Sequence, residues 1–135
     1  MKPIYITLLA LIVFSNSYSQ AVQSIKPVQD DKIFTFVDQM PVYPGGDAAL
    51  MKFLQQHINY PDKEKNDSIG GRVFIRFVVD VDGSVKDVRV VRSAAPALDN
   101  EAVRVVKLLA KFKPGYSEGK PVKVYFNLPI EFRLW

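Results

Sequence analysis

From Val122 to Leu134 an apolar side chain occupies every second position: Val122, Val124, Phe126, Leu128, Ile130, Phe132 and Leu134. Lys123, Tyr125, Asn127, Pro129, Glu131 and Arg133 fill the places between. An alternation this long is the period of a β-strand with one face in a core and the other toward water. Pro129 narrows the placement. Proline has no N–H to give to a ladder, so the strand belongs at a sheet edge with that gap turned outward. In an extended chain, successive residues direct their backbone groups to opposite sides. If Pro129 faces outward, Lys123, Tyr125 and Asn127 do so too and are the expected ladder partners of an incoming chain. A long edge of this kind is either an aggregation hazard or a docking place for another extended segment.

The chain around it, 135 residues with 48% hydrophobic and 24% charged, has room for one domain and an N-terminal extension. Lys2 followed by the apolar run Ile4–Phe14 and a polar Ser15–Gln20 reads as a secretory signal peptide over residues 1–20. The run is shorter than the roughly 20 residues that a membrane span requires. Export to the periplasm is expected, with inner-membrane anchoring if the segment is retained. Loss of residues 1–20 removes Lys2 alone among the charged side chains and takes the net charge from +4 to +3. This mild excess is interspersed with acids along the chain and is not the signature of a nucleic-acid binder. There is no cysteine. Neither a disulfide framework nor a lipoprotein anchor is available, and the core alone must hold the fold.

Residues 21–39 read as a linker, with a short extra strand in Ile33–Val37. Pro44-Gly45-Gly46 makes a turn, Asp47 an N-cap, and Leu50, Phe53, Leu54 and His57/Ile58 the apolar stripe of a helix that ends before Tyr60-Pro61. Asp62–Ser68 reads as a charged loop. Two strands, Arg72–Asp80 and Val85–Ser93, flank a hairpin turn in which Gly83 supplies a positive φ. A second helix opens at Pro96, where proline suits the first turn, and carries Leu98, Ala102, Val105/Val106 and Leu109 inward. Helix, strand, strand, helix, strand is an α+β arrangement with the helices on one face of one sheet.

Candidates for chemistry are sparse. The single histidine, His57, closes an amphipathic helix, and without cysteine no zinc cluster can be assembled from the chain. Asp80-Val81-Asp82-Gly83-Ser84 has its glycine at the wrong place for a calcium loop, and Val91 stands where the distal glutamate belongs. Asp99 and Glu101 are first-turn helix acids. The expectation is a chain that is not an enzyme and uses no cofactor or metal.

Several segments together resemble one family. Met40-Pro41 with Tyr43-Pro44-Gly45-Gly46, Tyr60-Pro61, Gly71-Arg72-Val73 and Val79-Asp80-Val81-Asp82-Gly83-Ser84-Val85 are similar to the C-terminal domain of TonB. So are Leu98-Asp99-Asn100-Glu101-Ala102, Phe112-Lys113-Pro114-Gly115, Gly119-Lys120-Pro121-Val122 and Pro129-Ile130-Glu131-Phe132. The version resembled is the one common in Bacteroidetes-type bacteria, and the match covers residues 40–135. The resemblance implies two helices on a three-stranded antiparallel sheet. It also implies a periplasmic energy-transducing module that grips the TonB box of outer-membrane receptors by β-strand addition, in support of transmembrane transport. Carried over, the gripping edge is Val122, Lys123, Val124, Tyr125, Phe126, Asn127 and Leu128, assisted by Asn59, Tyr60 and Pro61. A full transducer also has a spanning anchor, which meets the ExbB/ExbD motor, and a long proline-rich spacer. Here the apolar run is short and about a dozen residues precede the fold, so contact with the motor is expected to be indirect. The alternative from a different class is a structural or assembly protein that forms a homodimer through the same edge.

Overall fold

A computed structural model describes residues 32–134. The expected signal peptide, most of the linker and Trp135 lie outside these residues. The elements run β1 (Ile33–Phe34), α1 (Asp47–His57), α2 (Asp62–Asn66), β2 (Gly71–Val79), β3 (Val85–Arg92), α3 (Pro96–Val106), β4 (Gly115–Ser117) and β5 (Lys120–Phe132). The strand order is β1-β5-β2-β3, with β4 folded back on the start of β5. The sheet is mixed, because β1 runs parallel to β5 while the other pairings are antiparallel. The α+β class expected from the sequence is therefore present, with the short strand expected in Ile33–Val37 observed as β1, and a third helix and the short strand β4 added to the expected set.

Each addition has a local cause. In Asp62–Asn66, Pro61 starts a short turn of helix and Lys65 N–H donates to Pro61 O at 2.9 Å. Its five residues are all polar, so no apolar stripe announces it. β4 is the return limb of a tight hairpin through Glu118 and Gly119, both at positive φ. Helix α1 starts one residue earlier in register than a capping Asp47 would give. Gly46, at φ 86°, is the N-cap, and Asp47 is the first helical residue, where its charge still complements the dipole.

One layer of apolar side chains joins helices to sheet. Val73, Ile75, Phe77 and Val79 of β2 and Leu128, Ile130 and Phe132 of β5 meet Leu50 and Leu54 of α1 and Leu98, Ala102, Val105 and Val106 of α3. All are buried. Phe112, Phe77 and Phe126 close one end of this layer, with ring centroids 5.2–5.7 Å apart, and Tyr43 meets Phe112 edge-on at 5.1 Å. The irregular apolar pattern of β3 comes from bulges. Its register against β2 shifts twice and Asp87 sits at φ 52°, so Val88 packs against the core while Val90, opposite Ile75, stays exposed at the margin.

Several of the motif segments are parts of this framework. Gly83 holds φ 88° in the β2–β3 turn and its carbonyl accepts Phe112 N–H at 2.8 Å. A Cβ on Gly115 would lie 2.6 Å from Val124 Cγ2. Glycine lets the β4–β5 hairpin close there.

Candidate functional site at the outer edge of β5

β5 pairs with β2 without a break from Val124 to Phe132, and Pro129 stands opposite Phe74 inside that ladder. Proline can hold such a place only in a non-hydrogen-bonded pair, with its nitrogen turned from β2. Tyr125, Asn127 and Glu131 share that parity, so their N–H and C=O groups also point away from β2. Among the described residues no strand pairs with β5 on that side beyond Val124.

The start of the strand is different. β4 covers Lys120–Val122, and β1 sets Ile33 opposite Lys123 and Phe34 opposite Val124. Of the three expected ladder partners, Lys123 already faces the protein's own chain, while Tyr125 and Asn127 have no strand partner on that side among the described residues. Sequence reasoning placed a short strand in Ile33–Val37 but had no means to locate its partner, since two residues carry no register information.

The remaining candidates, Asn59, Tyr60 and Pro61, lie toward the opposite end of β5. The Tyr60 ring meets Phe132 edge-on at 5.5 Å, and its hydroxyl donates to Ile69 O. Asn59 N–H donates to Glu101 Oε1 at 3.3 Å. Glu101 in turn takes two bonds from Arg104 Nε at 2.9 and 3.0 Å, and Arg104 Nη2 donates to His57 O at 2.8 Å. α3 thus clamps the segment that presents Tyr60. Phe132 lies four residues past Leu128, or about 13 Å along a strand. The two halves of the expected site are therefore not adjacent.

A groove of about 670 Å³ lies beside Tyr60, lined by Met51, Gln55 and Ile58, by Pro129–Phe132 of β5 and by Arg133 just beyond it; its lining reaches Tyr60 but none of Val122–Leu128. Consecutive β5 residues of both parities line it, so it follows the rim of the strand rather than either face. The sequence signals available for it were Met51 and Gln55, which flank the buried stripe of α1.

The Arg76 guanidinium lies over the Tyr125 ring, 4.5 Å from its centroid, an arrangement favoured by the ring quadrupole. At the β2–β3 turn, Lys86 Nζ stands 2.7 Å from Asp80 Oδ2, and this hydrogen-bonded cation holds the Asp80 carboxyl below its ordinary value. The Asp82 carboxylate accepts the Ser84 hydroxyl and N–H, which pull it down to about 2. These bonds order the hairpin end. His57 stacks on Phe53 at 4.0 Å and its Nδ1 lies 2.8 Å from Phe53 O, a contact within its own helix.

The profile of the family described as Gram-negative bacterial TonB protein C-terminal matches residues 56–134. The chain belongs to the TonB C-terminal domain family. Two solution structures of the Helicobacter pylori TonB C-terminal domain are similar to it. The one covering residues 194–285 of that protein is 24% identical, with a TM-score of 0.50 over 64% of this chain and 90% of that one. The one covering residues 179–285 is 25% identical, with a TM-score of 0.48 over 68% and 87%. The first likeness bears on the fold alone. No curated protein matches the chain. TonB C-terminal domains are in general periplasmic modules of energy-dependent transport that work with outer-membrane receptors and the ExbB/ExbD complex.

Proposed function

We propose that this chain is an exported periplasmic TonB-like module that binds the TonB box of an outer-membrane receptor by β-strand addition to β5. Residues 1–20 serve as the signal peptide, and contact with ExbB/ExbD is indirect. The observation that carries the reading is the outer side of Tyr125–Phe132, unpaired among the described residues, which runs into the groove beside Tyr60. A visiting segment gains backbone bonds at Tyr125, Asn127 and Glu131, loses one at Pro129, and places apolar side chains against Met51 and Ile58. Backbone pairing tolerates varied sequences, which suits a module serving several receptors.

Titration with a receptor-derived TonB-box peptide is expected to shift the amide signals of Tyr125, Asn127 and Glu131 and of the groove. Tyr125→Pro adds a second outward gap without removing a bond to β2, so the fold is retained and binding is lost. Unchanged affinity in that variant excludes the ladder. Shifts that appear only as protein concentration rises, without peptide, identify the edge as a homodimer contact instead.

A further inference from the structure

The face of the sheet turned from the helices carries a concentration of charge that the linear sequence disperses. The pairings Phe74↔Arg92, Arg76↔Arg89 and Val78↔Lys86 put β3's cations beside those of β2, and the parity of Tyr125 adds Lys123 from β5. Arg72, Arg76, Lys86, Arg89, Arg92 and Lys123 thus share one face. Among the described residues only two of the six have a carboxylate within ion-pair distance, Lys86 with Asp80 at 2.7 Å and Arg72 with Glu131 at 3.7 Å. Arg76 and Arg89 stand directly opposite each other, a like-charge pair that works against the sheet. Arg76 Nε is buried without a hydrogen-bond partner among the described residues.

The form of this surface matters as much as its sign. Its cations spread over three strands in two dimensions instead of following one line. Its aromatic rings are already covered by guanidinium groups, Tyr125 by Arg76 and Phe74 by Arg92, the latter at 5.6 Å. Val78 between them is buried. Such a face offers charge without the apolar anchor on which protein partners usually depend. At one end it opens into a shallow notch of about 580 Å³ whose lining includes Arg72, Arg92 and Phe74 together with the Glu131 carboxylate, which Arg72 partly offsets at 3.7 Å.

We propose that this helix-free face binds the surface of an anionic phospholipid bilayer, with the notch receiving a headgroup phosphate. Guanidinium groups match phosphate geometry, and a layer of headgroups meets a two-dimensional array of cations without shape complementarity. The face lies on β2 and β3 as well as β5, so bilayer contact leaves the outer rim of β5 exposed.

The test is co-sedimentation of the full chain with phosphatidylglycerol vesicles and with phosphatidylcholine vesicles. Preferential binding to phosphatidylglycerol, weakening as salt is raised, is expected. Each basic side chain near such a surface contributes on the order of fivefold in affinity. The double variant Arg89→Gln/Arg92→Gln should therefore lose roughly 25-fold. A charge-matched Lys63→Gln/Lys65→Gln variant on α2 should retain binding. Equal binding to both vesicle types overturns the proposal, since that is adsorption by apolar segments. Equal loss in the two variants overturns it as well, because net charge alone then explains binding. Binding to polyglutamate or an oligonucleotide but not to vesicles assigns the face to another class of partner. Neither double variant touches the groups proposed for peptide pairing, so TonB-box titration reports on that reading separately.

Discussion

At the scale of single residues, turn chemistry does more than the ionisable groups to fix the fold. Gly83 combines φ 88° with a site where a Cβ would lie 1.8 Å from Phe112 O. Both strain and overlap penalise any side chain. Gly83→Ala is expected to cost at least about 2 kcal/mol, read as a lower urea midpoint. Beside it, Asp80 and Asp82 have folded-state values below those of the unfolded chain, Asp82 at about 2. A depressed carboxylate stabilises fully above the unfolded value near 4 and loses that contribution as pH falls through the folded one. Urea midpoints should therefore decline from about pH 4 toward pH 2. Asp80→Asn should flatten part of that slope, while Lys86→Gln, which removes the cation holding Asp80 down, should do the same. These acids also show how a sequence reading separates similar patterns. The glycine spacing that counted against a calcium loop is the spacing of the hairpin observed, with Gly83 N–H donating to Asp80 O at 2.8 Å.

Among the elements, β5 and β1 decide the functional question together. β1 takes only the Lys123–Val124 end of the rim, so a peptide longer than the open stretch meets the chain's own arm. Ile33→Gly/Phe34→Gly weakens β1 through backbone entropy and loss of β-prone side chains. A TonB-box peptide long enough to reach Lys123 should then bind severalfold more tightly. A shorter peptide confined to Tyr125–Glu131 should bind unchanged. Isothermal titration of both peptides against both proteins separates these outcomes. β5 itself was legible because alternation and Pro129 are local signals. β3 was legible only as a strand, since its bulges at Asp87 and Val91 depend on the register that β2 imposes. α2 escaped notice because a five-residue polar helix has no pattern to display.

For the whole molecule, stability rests on one apolar layer between the helices and the sheet. Leu98 is fully buried where α3 meets it. Leu98→Ala should cost about 2–5 kcal/mol and lower the unfolding midpoint by every probe together. Phe36, 81% exposed just after β1, lies outside the layer, and Phe36→Ser should change stability by less than about 0.5 kcal/mol. The amino-acid sequence by itself determined the α+β class, the principal helices and strands, the hairpin at Gly83 and the outward set of β5. These follow from periodicity, proline and glycine, whose constraints act over a few residues. Tertiary structure alone decided three things: that β1 lies on Lys123 and Val124, that Tyr60 stands beside Phe132 rather than Val122, and that six cations scattered among acids gather on one face. Each depends on which strands become neighbours, a choice made by burying the common core rather than by any local preference.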